Sequence, residues 1–449
     1  MLFEVGLMSR SRKPFVHESS LAFIFAGLSA LQIQPSFAQS VPSEVQTVVT
    51  PNSFGVRSLR DTPTREYQGL LLGGWVLYPS LLVAGTYDDN PFQAPSDRKG
   101  AAGTHLRPSV IADRDNGLHH TTVYTIGDFR IYPDLSTGNT VNIETGFNHT
   151  WEARKDLVIS ASGEYARRTD MYNTGQVVNP FVLGGLTYRG TQASPQRYNE
   201  FIGSVSAQKS FDRLFIGLSS TARATTYDTL YTSTGALDQA YRNNLVTGVT
   251  GRLGYYATPL LFVFTEASGN FRDFRDPTYN SEGYRFVGGI GTDRIGLIRG
   301  EIFGGYQSQF YFSGLFPSAN SPVYGGKLYW YPTRAWTIEA GLDETFQDSA
   351  LSTVGNATGS AARATSANLR IGYKLAKSWS ATVNGQYTDV AYISGGRHDS
   401  RWNSGATLNY EIWRNLNATF EYAFTRVFSN SDGAAFTRNV FTLGATYKY

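Results

Sequence analysis

The stretch Leu157-Val158-Ile159-Ser160-Ala161-Ser162-Gly163-Glu164-Tyr165 alternates with period two. Leu157, Ile159, Ala161, Gly163 and Tyr165 form an apolar or small face, while Val158, Ser160, Ser162 and Glu164 form a mostly polar one. Successive side chains point to opposite faces in an extended strand and not in a helix, so this segment reads as a β-strand. The pattern recurs along the chain. Val141, Ile143, Phe147 and Trp151 alternate with Asn142, Glu144, Asn148 and Glu152. Trp336, Ile338, Ala340 and Leu342 alternate with Thr337, Glu339 and Asp343; Leu369, Ile371, Tyr373 and Leu375 with Asn368, Arg370, Gly372 and Lys374; Ala418, Phe420, Tyr422 and Phe424 with Asn417, Thr419 and Glu421.

In a soluble sandwich the apolar face would turn to a core. In a membrane barrel it turns to lipid and the polar face lines the interior. Three features favour the barrel. The first is the rhythm of connections. Tight turns are expected near Asp115-Asn116-Gly117, Arg154-Lys155-Asp156, Phe211-Asp212, Thr258-Pro259, Asp293-Arg294, Pro332-Thr333-Arg334, Ala376-Lys377-Ser378 and Arg414-Asn415. Between them stand longer loops, among them Asp88 to Gly103, Asp170 to Gln196, Asp228 to Gln239, Ser313 to Ser321, Ser349 to Ala362 and Asn430 to Ala435. Short turns on one rim and long loops on the other is the outer-membrane arrangement, with both chain ends on the periplasmic rim. Loop residues such as Gly175 and Thr353 are then expected on the cell surface, and Asn116 and Asn415 in the periplasm.

The second feature is the position of aromatic residues. Trp151, Trp330, Trp336, Trp379 and Trp413 all fall within a few residues of the short turns, as do Phe211, Tyr255 and Tyr256. Amphipathic rings collect at headgroup level, so these read as one girdle. Phe310-Tyr311-Phe312, Tyr227, Phe271, Phe346, Tyr392, Trp402 and Phe428 read as the other. The third feature is the C-terminus. Phe441, Leu443, Ala445, Tyr447 and Tyr449 alternate with Thr442, Gly444, Thr446 and Lys448, and the chain ends on the aromatic. Such an ending resembles the terminal signal by which the barrel-assembly machinery recognises its clients. The expected fold is all-β: a transmembrane antiparallel up-and-down barrel of about 18 strands, over residues 75–449.

Composition agrees. Aromatics are 14% of the chain, with 28 Tyr, 28 Phe and 46 Gly. Charged residues are 17%, below the roughly 25% usual for soluble domains. Cys is absent, which excludes a disulfide framework and thiolate metal sites. Arg10, Arg12 and Lys13 precede an apolar run from Leu21 to Leu28 and on to Leu31, then Pro35-Ser36-Phe37-Ala38-Gln39. That is the secretory pattern, with cleavage expected after Ala38. Residues 39–74, with Pro42, Pro51 and Pro63, read as a flexible periplasmic lead-in. The formal charge of +3 falls to +2 without the leader, which holds three basic and two acidic residues. A charge so close to neutral gives no basis for a nucleic-acid surface, which would want a concentrated basic face.

The segment Tyr87-Asp88-Asp89-Asn90-Pro91-Phe92, followed by a polar loop and Leu106-Arg107-Pro108-Ser109-Val110, resembles the opening hairpin of the putative β-barrel porin type-two family of proteobacterial outer-membrane proteins. The resemblance extends weakly over Tyr78 to Tyr449, by hairpin rhythm more than by identities. It implies an outer-membrane barrel of unassigned substrate, some relatives being encoded beside exopolysaccharide genes, and it carries over no catalytic residue.

Other constellations are weak. Asp88, Asp89 and Asn90 have hard oxygen ligands for a divalent cation, but Asp and Asn are also ordinary loop-start residues. His119 and His120 are adjacent in a strand and face opposite ways. His149 stands beside Trp151 with no serine in a catalytic setting. Gly288-Gly289-Ile290-Gly291 lies in a strand with no following helix, so it is no phosphate loop. No cofactor, metal or catalytic site is expected. The polar parity instead assigns a lumen: acidic Asp128, Glu144, Glu152, Glu164, Glu200, Glu266, Glu301, Glu339, Asp343, Glu411 and Glu421, and basic Arg130, Arg168, Arg223, Arg252, Arg285, Arg299, Lys327, Arg370, Lys374 and Lys448. Neither sign dominates. Most of these are expected to brace the wall by pairing rather than to select ions.

The leading function is a porin-like channel, for solute diffusion or exopolysaccharide export. The alternative is a structural or adhesive barrel with a plugged lumen, the loop carrying Gly175, Gly184, Gly185 and Gly190 being long enough to fold inward. An enzyme has no supporting constellation. Expected partners are outer-membrane lipid and lipopolysaccharide, the barrel-assembly machinery and polysaccharide export components of a Gram-negative envelope.

Overall fold

The computed structural model describes residues 46–47, 69–171, 177–183, 186–191, 193–314, 316–348, 361–376, 378–393, 396–430 and 434–449. The expected leader, residues 1–38, lies outside them, as do Gly175, Gly184, Gly185 and Thr353. The wall begins with β1 (Trp75–Asp88), β2 (Ala101–Asp115), β3 (His119–Ile131), β4 (Thr140–Arg154), β5 (Leu157–Asp170) and β6 (Gln196–Phe211). It continues with β7 (Leu214–Tyr227), β8 (Asn244–Tyr256), β9 (Leu261–Phe274), β10 (Ser281–Ile295), β11 (Ile298–Tyr311) and β12 (Ala319–Trp330). The last third is β13 (Trp336–Asp348), β14 (Ala361–Lys374), β15 (Trp379–Tyr392), β16 (His398–Trp413), β17 (Leu416–Ser429) and β18 (Phe436–Lys448).

Each strand pairs antiparallel with the next, and Val440–Lys448 of β18 returns to Ser80–Asp88 of β1. These eighteen strands therefore form a closed wall, and closure satisfies the edges that an open sheet would expose. No helix among the described residues is long and apolar enough to cross a membrane, which says nothing against crossing by strands.

Alternation decides which side faces lipid. On β1, Leu81, Val83 and Tyr87 are exposed outward, whereas Leu82, Ala84, Thr86 and Asp88 are buried inward. Val123, Val141, Phe147, Phe201, Ile302, Leu369 and Val383 are exposed in the same way. All five tryptophans near the short turns, Trp151, Trp330, Trp336, Trp379 and Trp413, are exposed on the outer face, as are Phe211 and Tyr255. At the loop rim Phe271, Phe310, Phe312, Trp402 and Phe428 also face out.

Four girdle expectations fail, each because the ring finds an inward partner. Tyr256 donates its hydroxyl to Asp293 at 2.6 Å. Tyr227 lies under the Arg242 guanidinium, 4.0 Å from the ring centre. Phe346 packs on Ala319 and Tyr311, and Tyr392 on Ala362 and Ala364. One turn is also displaced. The ladder runs past Asp293 and Arg294 to Ile295, paired with Ile298, and the chain reverses at Gly296, whose φ of 63° a glycine adopts without strain.

The lead-in is not wholly unpaired. Leu70–Leu72 forms a hairpin with Trp75–Leu77 at the short-turn rim. Gln46 and Thr47 pair with Asp348 and Gln347 at the loop rim. The β12–β13 ladder joins only Gly326–Trp330 to Ile338–Leu342, so β13 offers a free backbone edge above Leu342, which accounts for that pairing.

Candidate functional site: the lumen

The inner face divides into sectors of different chemistry. Across β2 to β7 it is charged and cross-linked. Asp128 and His105 share a hydrogen bond of 3.0 Å between Oδ2 and Nε2, and Arg130 stands 3.9 Å from the same carboxylate. Arg168 sits among three carboxylates, Glu164 at 3.3 Å, Glu200 at 3.5 Å and Glu144 at 3.8 Å. Arg223 reaches Glu200 at 3.8 Å, and the Tyr124 hydroxyl donates to Glu164 at 2.8 Å.

Across β7 to β13 the inner face is packed. Phe215, Phe262, Phe264, Val287 and Val323 form a buried cluster, with Tyr256, Phe303 and Tyr329 against it. The rings need glycine beside them: a Cβ on Gly254 would stand 2.0 Å from Phe215, and one on Gly291 would stand 2.3 Å from Phe262. The Gly288-Gly289-Ile290-Gly291 run is thus a floor for aromatic rings. Arg252 covers this cluster, its guanidinium 3.7 Å from the centre of the Phe264 ring, while binding Glu301 at 2.7 Å and Glu266 at 3.7 Å. The Arg252 and Glu301 side chains are 1% and 2% exposed, so the pair is held out of water. Arg285 binds Asp343 at 3.1 Å.

Across β14 to β17 the inner face at mid-height is polar and partly accessible, while Ala362, Ala364, Val390 and Tyr392 are buried towards the loop rim and Asp399 and Arg401 are buried on β16. Asn368, Gln386, Asn403 and Thr425 stand directly opposite one another on successive strands. Asn368 and Gln386 are exposed and Asn403 is half-buried. The remaining expected lumen charges also take inward ladder positions. Glu339 is opposite Arg370, Arg299 opposite Tyr329, Glu411 opposite Asn417, Glu421 opposite Thr407 and Thr442, and Lys374 opposite Ser380.

A buried clamp joins the first strand to the last. Arg438 donates from Nε to Asp88 Oδ2 at 3.0 Å and from Nη2 to the same oxygen at 2.5 Å. Asp89 accepts the Asn439 backbone N–H at 2.6 Å and its side-chain amide at 2.7 Å. Asn90 donates to the carbonyl of Thr437 at 2.9 Å. The acidic pair of the opening motif is therefore spent on closing the barrel, and among the described residues no group of three or more His, Asp or Glu is arranged for a metal ion. On the outer face His149 and His119 approach to 3.4 Å, and His149 hydrogen-bonds Thr121 at 2.8 Å. His105, Arg272 and Arg438, all buried and inward, escape the reading from sequence. Strand parity was the signal available: His105 and Arg107 alternate with Leu106 and Pro108, and Arg438 with Asn439.

A closed antiparallel wall, apolar outside and polar within, defines a porin-type outer-membrane barrel. The chain belongs to the family described as "Putative beta-barrel porin 2", whose model matches residues 62–449. A search of curated proteins finds no match. Similar solved structures include a mutant of the ferric enterobactin receptor PfeA of Pseudomonas aeruginosa, 10% identical, TM-score 0.43, covering 83% of this chain and 80% of that one. Another is the siderophore receptor PirA of Acinetobacter baumannii, 7% identical, TM-score 0.41, covering 82% and 80%. A third is the ferric yersiniabactin uptake receptor FyuA of Yersinia pestis, 12% identical, TM-score 0.40, covering 85% and 76%. At these scores the likeness carries nothing about cargo or mechanism.

Proposed function

We propose that this barrel is an open, water-filled channel that passes neutral or weakly charged solutes, a glycan chain during export among them. The observation that carries this reading is the contrast inside the lumen. The acidic and basic side chains of β2 to β13 largely neutralise one another, through Arg168 with Glu144, Glu164 and Glu200, and through Arg252 with Glu266 and Glu301. Opposed charges at short range leave little net field to select one ion sign. Barrels near this strand number also enclose more space than their side chains fill.

In this reading the long loops face outward and the short turns the periplasm. Lipid and lipopolysaccharide surround the exposed apolar face, and the assembly machinery reads the terminal strand, where Phe441, Tyr447 and Tyr449 point outward. No catalytic step is part of the proposal. Impermeant labelling of single cysteines on whole cells tests the orientation in a chain that has none of its own: Gly175→Cys and Thr353→Cys label, Asn116→Cys and Asn415→Cys do not. Planar-bilayer recording tests the channel. Steady conductance with little cation or anion preference is the expected result. A bilayer that stays silent, and stays silent after deletion within Asp170–Gln196, overturns it in favour of a structural or adhesive barrel.

A further inference from the structure

The geometry points to a binding lane for uncharged, hydroxyl-rich chains, such as neutral oligosaccharides, on the inner face of β15 to β17. This deepens the channel reading and rests on it. The spine is β15, where Trp379 and Val383 point to lipid. Its alternate positions, Ser380, Thr382, Asn384, Gln386 and Thr388, face the lumen, all polar and none charged. From Ser380 to Thr388 the strand covers about 26 Å, close to the roughly 25 Å apolar band of such barrels.

Neighbouring strands continue the lane sideways in register. Gln386 is opposite Asn368 and Asn403, Thr382 is opposite Thr407, and Ser380 is opposite Asn409. Beyond Asn403 and Asn409 stand Thr425 and Thr419. Short contacts run along these rungs: Thr425 donates to Asn403 at 3.1 Å, Thr419 to Asn409 at 2.9 Å, and Asn403 to Gln386 at 3.5 Å.

The chemistry suits a sugar. Each amide offers a carbonyl acceptor and two N–H donors in one plane, and each hydroxyl both gives and accepts. Vicinal sugar hydroxyls have the same dual character, so a chain can exchange partners from rung to rung. Neutral hydrogen bonds are individually weak after water is displaced, and a conducting site must release what it binds. Charges adjoin the lane: Lys374 and Arg370 on β14 stand opposite Ser380 and Asn384, buried Arg401 on β16 opposite Thr388, and Glu421 on β17 opposite Thr407, whereas the Gln386 rung, with Asn368, Asn403 and Thr425, carries no charge across β14 to β17. On β8 to β11, by contrast, the inner face is already filled by Arg252, Glu301 and the aromatic cluster.

The test is saccharide occlusion of single channels in the full-length protein, with maltohexaose as the neutral probe and an oligogalacturonate of similar length as the acidic one. Wild type is expected to show transient blocks with maltohexaose and fewer with the acid. The combination Gln386→Leu with Asn403→Leu keeps side-chain volume and removes the hydrogen bonds. It should weaken maltohexaose block about five- to tenfold, as for the loss of two neutral hydrogen bonds, with conductance in salt unchanged. Ser162→Ala with Ser204→Ala, on β5 and β6 across the lumen, should leave block unchanged. Gln386→Ser with Asn403→Ser, which restores polar partners, should recover part of it and guards against a folding defect in the leucine variant. Open wild-type channels without maltohexaose block, or equal loss in the leucine and alanine variants, overturn the lane and leave the channel standing. A silent wild-type bilayer removes the channel reading. Calorimetric titration of maltohexaose into the solubilised barrel then decides the lane alone, and absence of binding overturns it.

Discussion

The inner faces of β8–β11 and β15–β17 are written in the same alternation yet behave as different materials. On the first, inward positions hold Phe262, Phe264, Val287, Arg252 and Glu301, and all are buried. On the second they hold Gln386, which is exposed, and Asn384, Asn403 and Asn409, which are half-buried. Period two therefore says that a residue faces inward, not whether inward means core or water. The difference lies in what the partner strand offers. Gly254, Gly289 and Gly291 leave room for rings to lie flat on the wall, and the rings then exclude water from the Arg252 pair. Beside Gln386 stand Asn368 and Asn403, which compete for the same space and keep the surface wet.

Breaking the buried pair should separate the two regions most. Arg252→Ala removes the guanidinium bound to Glu301 in a site that is 2% exposed, leaving Lys327 across the ladder as its cationic neighbour, and breaking a buried pair on one side costs about 3–5 kcal/mol. Asn384→Ala on the wet face should stay within about 0.5 kcal/mol. Urea unfolding in lipid vesicles measures both. Equal, small losses would mean that the β8–β11 face is as hydrated as the other.

The outer face should respond next. Leu369→Arg or Ile159→Arg puts a charge toward lipid at a cost of about 2–4 kcal/mol at mid-depth. Ser160→Arg and Thr419→Arg point inward and should be milder. Heat-modifiable gel mobility reports the folded fraction, and indistinguishable losses in the two sets would reverse the assigned faces. The seam clamp comes third. Asp88→Asn removes the carboxylate charge from a fully buried contact with Arg438 and should cost about 1.5–3 kcal/mol. It should also slow closure of the barrel, seen as delayed appearance of the compact band. Asp97→Asn, in the exposed part of the same loop, is the matched control.

Much of the wall was legible because lipid tolerates no lapse in alternation. The short turns at Asn116-Gly117, Lys155-Asp156 and Asn415 stand where composition put them. The contacts inside were legible only as charges of both signs. Arg252 and Glu301 are 49 residues apart and Asp88 and Arg438 are 350 apart, so their meeting depends on register summed over several ladders. A shift of one residue in any of those ladders would change the partner, and no local pattern records it. The same holds for Tyr227, Phe346 and Tyr392. Their aromatic character suggests a girdle, whereas their partners Arg242, Ala319 and Ala362 draw them inward.

The smallest effect bears most directly on the comparison. Asn384→Asp adds one negative charge at the centre of β15, opposite Arg370 and Gly405. If this face is wet, water screens the charge, and the protein should unfold within about 0.5 kcal/mol of wild type. The charge should still act on ions in the lumen, since a carboxylate about 4 Å from a passing cation is worth about 1 kcal/mol in bulk-like water. The reversal potential in a salt gradient should then move toward cations, with a permeability ratio changed a few-fold at most. Asn384→Lys should move it the opposite way. Stability and selectivity thus respond in opposite proportion to the Arg252→Ala case, where stability collapses. Should Asn384→Asp instead destabilise the barrel by several kcal/mol and leave the reversal potential in place, β15 would be packed like β9, and the division of the lumen into a core side and a water side would fail.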